Sequence, residues 1–96
     1  MKTREEIEET LKRFKPMLRE KFNVKEIGFF GSYVRGEESE TSDVDVLVDF
    51  FEPIGWEFID FKEFLEEILG LEVDLVTVKA LKPQLKEKIL KEVVYA

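Results

Sequence analysis

Two apolar runs bracket a short polar segment between Ile27 and Phe50, and this stretch, IGFFGSYVRGEESETSDVDVLVDF, constrains the chain more than any other. The first run ends in Gly31-Ser32. Ten residues follow, and Asp43-Val44-Asp45 opens the second run. Val24 to Phe30 carries β-branched and aromatic bulk and reads as a strand. Ser32 suits the cap of a short helix through Arg35, which Gly36 is placed to end. Glu37 to Ser42 is polar and reads as a loop, with Asp43 to Phe50 as the next strand. Alternation on that strand sends Val44, Val46 and Val48 to one face and Asp43, Asp45, Leu47 and Asp49 to the other.

The flanking segments supply helices. Thr3 and Glu6 fit a capping box, and Ile7, Leu11, Phe14, Leu18 and Phe22 recur at helical spacing, predicting a helix over 4–22. Pro16 inside it removes an amide donor and predicts a bend. A turn at Glu52-Pro53-Ile54-Gly55 leads into a helical stripe of Phe58, Phe61, Leu65, Ile68 and Leu69, stopped by Gly70. Leu71 to Val78 reads as a third strand. Leu81, Leu85, Ile89 and Val93 stand four apart and predict a last helix over 82–93, with Pro83 in its first turn. The order is α-β-α-β-α-β-α in one domain, 1–96. That order implies an α/β (α+β) fold: a small mixed sheet of three to four strands with helices mainly on one face.

Composition removes whole classes of chemistry. With no cysteine and no histidine, disulfides, thiolate sites, imidazole bases and His-ligated zinc are excluded. Any metal must accept oxygen ligands, which favours Mg²⁺, Mn²⁺ or Ca²⁺. Twenty-two acidic against 15 basic residues leave a net charge of −7. This balance argues against nucleic acid as a partner, because phosphate backbones need a basic face. No apolar stretch approaches a membrane span and the opening residues do not begin a secretory signal, so a cytoplasmic location with no membrane association is expected.

The remaining chemistry lies in the carboxylates and the Gly-Ser turn. Asp43 and Asp45, at i and i+2 of a strand, share a face with Cα atoms about 6.5–7 Å apart. A pair so placed can bracket two divalent ions roughly 3.5–4 Å apart. Gly31 lets a phosphate approach the backbone, where amides and the Ser32 hydroxyl offer donors. Asp74 is a third candidate, since the alternation of Val73, Asp74 and Leu75 can turn it to the same face. Each motif has a plain alternative: a solvated strand end for Asp-x-Asp, an ordinary turn for Gly-Ser, and a surface ion pair for Arg35. An EF-hand fails because Leu47, Val48 and Ile54 stand where a ligand, a glycine and a glutamate are required. The cluster of Phe50, Phe51, Trp56, Phe58 and Phe61 reads as core with an interface rim.

Gly31-Ser32, ten residues and Asp43-Val44-Asp45 together resemble the signature of the nucleotidyltransferase superfamily that includes DNA polymerase beta. The longer run GSYVRGEESETSDVDVLVDF is similar to the minimal nucleotidyltransferases (MNT) of prokaryotes. So are the opening helix with its proline, Val73-Asp74-Leu75-Val76 and Ala80-Leu81-Lys82-Pro83. The resemblance implies a nucleotidyltransferase fold and transfer of AMP from ATP to a tyrosine hydroxyl of a HEPN-domain toxin, which the chain would silence as antitoxin. It implies Asp43, Asp45 and Asp74 as catalytic residues and ligands of two Mg²⁺ ions, with Mn²⁺ as the alternative. Gly31, Ser32 and Arg35 would bind the nucleotide. A homo-oligomer or a hetero-oligomer with the toxin is expected. Two other readings stay open: a non-catalytic antitoxin that masks its partner, and transfer to a small molecule or nucleic acid.

Overall fold

The computed structural model describes residues 3–39 and 41–96. Met1, Lys2 and, within the expected 37–42 loop, Glu40 lie outside the described residues. Helix α1 (Arg4–Phe22) starts where the capping box predicts. The Glu6 amide donates to Thr3 Oγ1 at 3.2 Å, and the Thr3 amide donates to Glu6 Oε1 at 3.3 Å. The helix runs through Pro16 to a stop at Asn23, whose φ of 63° is the left-handed conformation asparagine tolerates. Strand β1 (Val24–Phe30), the single-turn helix α2 (Ser32–Arg35) and strand β2 (Val44–Phe50) follow. Helix α3 (Glu57–Leu69) ends at Gly70, and strand β3 (Val73–Thr77) leads through a 3₁₀ turn at Val78–Ala80 into helix α4 (Pro83–Glu92). The chain closes with a two-residue strand, β4 (Val94–Tyr95).

The strands form one mixed sheet in the order β3-β2-β1-β4, with β2–β3 parallel and the other two pairs antiparallel. Register decides which side chains share a face. Phe29 lies opposite Val46 and Ile27 opposite Val48, so these four join Val44 on the side covered by α1 and α3. Ile7, Leu11, Leu18 and Phe22 of α1 and Phe61, Leu65 and Leu69 of α3 pack there, all buried. Phe61 sits between Phe22 and Phe50, with ring centroids 5.2 and 5.5 Å away. Each such side chain contributes roughly 1.5–3 kcal/mol by leaving water. On the opposite face Phe30 pairs with Asp45, and Asp45 with Asp74.

The expected order of elements and the small mixed sheet hold through α4, and a short strand, β4, follows it. A Cβ on Gly28 would lie only 2.6 Å from the Val94 carbonyl oxygen, so glycine in β1 is what admits this last strand. The Ala96 amide then donates to the Ile27 carbonyl at 3.0 Å, and Lys15 Nζ donates to the Ala96 carbonyl oxygen at 2.9 Å. The second strand begins at Val44, not Asp43, because the ladder starts where the Val44 amide reaches the Glu72 carbonyl at 3.0 Å. Ser32 is the first helical residue and Gly31 holds the cap position, so the serine side chain does not cap the helix.

Candidate nucleotide and metal site

Gly31 is the hinge of the site. Its φ of 80° and ψ of −148° put it where a side chain is strained, and a Cβ there would collide with the Asp45 carboxylate. The two motifs, ten residues apart in sequence, are therefore in direct contact: the Gly-Ser turn lies on the carboxylate of β2. Glycine provides both the backbone conformation and the space. After it, the Val34 and Arg35 amides donate to the Gly31 carbonyl at 3.0 and 3.1 Å. The Ser32 and Tyr33 amides are first-turn groups with no helical acceptor. Ser32 Oγ makes no hydrogen bond among the described residues, and Tyr33 is buried beneath the turn.

Asp45 is half-buried, while Asp43 and Asp74 are exposed. Burial pushes the Asp45 carboxyl up to about 6; Asp74 and Asp43 push in the same direction, and Arg35 opposes them. Asp74 is its cross-strand neighbour on β3. Like charges thus crowd one spot on the sheet. A cation among these oxygens would remove the repulsion, and an oxygen-only donor set suits a hard divalent ion. Among the described residues no three His, Cys, Asp or Glu side chains form a ready-made metal cage. Asp45 and Asp74 are aligned by the ladder; Asp43, just before the strand, is not held by it.

Arg35 is more engaged than an isolated surface residue. Its Nε donates to Glu37 Oε1 and its Nη1 to Glu92 Oε1, both at 2.6 Å, and these partners raise its pKa. Glu92 also accepts the Gly31 amide at 3.1 Å. Burial opposes ionisation of Glu92, but Arg35 and the Gly31 amide outweigh it and hold its carboxyl below the usual range. Phe30, Gly31, Arg35 and Asp45 line a cleft of about 200 Å³ with Leu85, Lys88, Ile89 and Glu92 of α4. Glu37 and Glu92 were not singled out by sequence. Glu92 did leave one signal, since a carboxylate in a helix's last turn opposes the macrodipole.

The nucleotidyltransferase domain family matches this chain over residues 11–96. The chain belongs to that family. The chain is 56% identical to the protein adenylyltransferase MntA of Thermococcus cleftensis over 96 residues, 99% of this chain and 97% of the relative. A solved structure provisionally named a minimal nucleotidyltransferase superposes on this nucleotidyltransferase with a TM-score of 0.74 at 34% identity, covering 92% of this chain and 93% of that one. The fold also recurs, at 19% identity and a TM-score of 0.65, in a complex of tri-AMPylated HEPN toxin with MNT antitoxin from Shewanella oneidensis. There it covers 93% of this chain and 70% of that one. Among the described residues no helix is long and apolar enough to cross a membrane.

Proposed function

We propose that residues 1–96 act as one nucleotidyltransferase domain that transfers AMP from ATP to a tyrosine hydroxyl of a HEPN-domain toxin, as the toxin's antitoxin. The observation that carries this reading is the contact of Gly31 with Asp45, while Asp45 stands beside Asp74 in the sheet. Phosphate donors and carboxylates thereby meet at one place, as transfer from a triphosphate requires. The adenylyltransferase name of the Thermococcus cleftensis relative and the toxin–antitoxin context of the Shewanella oneidensis complex support the donor and the acceptor.

In this reading the Gly31, Ser32 and Tyr33 amides, the Ser32 hydroxyl and Arg35 hold the β- and γ-phosphates. Asp43, Asp45 and Asp74 would hold divalent metal, Mg²⁺ as two ions or Mn²⁺ in its place. Bound metal supplies positive charge that offsets the triphosphate and favours the ionised acceptor oxygen. The tyrosine oxygen attacks the α-phosphorus, pyrophosphate leaves, and Asp74, exposed on β3 beside Asp45, takes the phenolic proton. The same reading puts the chain in the cytoplasm as a hetero-oligomer with its toxin.

Labelled ATP, Mg²⁺ and the HEPN-domain protein test it directly. Label should move to a toxin tyrosine with the native chain and fail to move with the Asp43→Ala/Asp45→Ala double variant. Transfer that survives in that variant would sink the carboxylate assignment. Protection of cells by the same variant would favour masking over chemistry.

A further inference from the structure

Glu92 occupies donors that the proposed function assigns to phosphate. One carboxylate oxygen accepts the Gly31 amide at 3.1 Å and the other accepts Arg35 Nη1 at 2.6 Å. A carboxylate bridging an amide and a guanidinium offers them what a phosphate offers, two anionic oxygens in bidentate contact. Glu92 ends α4, where the helix dipole disfavours its charge, so these two donors are what hold it. Its side chain is 17% exposed, well sheltered for a glutamate on a helix with no buried residue. Arg35 is already met on its other side by Glu37, so two carboxylates neutralise it.

We propose that Glu92 is an internal occupant of the triphosphate subsite, and that nucleotide binding displaces its carboxylate from Gly31 and Arg35. The proposal rests on the reading of Gly31, Ser32 and Arg35 as phosphate ligands. A single N–H cannot serve both acceptors at full strength, and a carboxylate left beside a triphosphate would repel it. The segment that must move is lightly held. No residue of α4 is buried, Leu85 is 48% exposed, and β4 beyond it is two residues long. Nucleotide occupancy at the Gly-Ser turn is thereby coupled to the position of the C-terminal helix. Lys88, one turn earlier on α4 and lining the same cleft, keeps a cation near the phosphates as Glu92 leaves.

Calorimetric titration of the isolated protein with a Mg²⁺-bound, non-hydrolysable ATP analogue tests the displacement. An occupant that fills the subsite most of the time reduces apparent affinity by the unfilled fraction, so Glu92→Gln should tighten binding about fivefold. Glu92→Asp, too short to reach both donors, should tighten it less, and carries the test if the glutamine variant does not fold. Unchanged or weaker binding in the folded variants overturns the proposal and would make Glu92 a positioning residue for Arg35. Arg35→Ala separates the two levels. If it weakens binding while Glu92→Gln does not tighten it, the displacement is wrong and the phosphate reading stands. If Arg35→Ala leaves affinity unchanged, both fail.

Discussion

Helices α3 and α4 look alike in sequence and behave differently in the fold. Both place apolar residues three or four apart. Yet α3 buries Phe61, Leu65 and Leu69 completely, whereas α4 buries nothing and leaves Leu85 and Leu90 exposed. An amphipathic stripe states that a helix has an apolar side, not what that side will meet. α3 meets the valine face of the sheet and locks it. α4 flanks the carboxylate face, lines a cleft with Asp45 and Arg35, and is joined to β1 and α2 through Glu92 and the short β4. The molecule thus divides into a rigid scaffold and a loosely held element beside the site.

The division is broken most severely by removing a site carboxylate. Asp45→Asn should lower AMP transfer by about 10³-fold or more, the scale of losing an interaction made in the transition state. Its melting temperature should hold or rise, because a repelling, half-buried charge is gone. A large fall in melting temperature would mean that the carboxylates belong to the scaffold. On the scaffold side, Phe61→Ala should cost about 3–5 kcal/mol in denaturant unfolding, as expected for a filled aromatic site. Gly31→Ala joins the two regions. Backbone strain and the clash with Asp45 should cost about 1–3 kcal/mol and abolish transfer even in the fraction that folds. Leu85→Ala should cost less than about 0.5 kcal/mol, as for an exposed surface side chain. A loss as large as that of Phe61→Ala would show that α4 is scaffold after all.

Acidity sharpens the contrast, since Asp45 and Glu92 respond with opposite signs. In the folded chain Asp45 titrates at about 6, above its unfolded carboxylate value near 3.9. The folded state therefore binds the extra proton between those values, and stability should fall as pH rises from about 4 to about 6. Glu92 is shifted downward. Its contribution is present above the unfolded glutamate value and lost as pH falls through the folded one. Thermal melts across pH in the presence of a chelator should show both slopes. Asp45→Asn should flatten the first and Glu92→Gln the second.

Local sequence determined much of this protein. Thr3 and Glu6, Asn23, Gly36 and Gly70 mark element ends because caps and left-handed positions depend on a few adjacent residues. The alternation of valine and aspartate along β2 assigned both faces, since strand side chains repeat every two residues whatever lies across from them. Gly31, Ser32, Asp43, Asp45 and Asp74 were legible as candidates for the site because residue type and spacing carry that signal. Tertiary structure decided what depends on distant partners. β4 is too short to announce itself, and it exists because Gly28 leaves room and β1 offers a free edge. The Gly31–Asp45 contact depends on the antiparallel pairing of β1 and β2, and the Asp45–Asp74 pair on the parallel pairing with β3. Glu92 reaches Gly31 across 61 residues, a separation at which no periodicity survives. Local propensity acts through neighbours in the chain, whereas the electrostatics of the site act through neighbours in space.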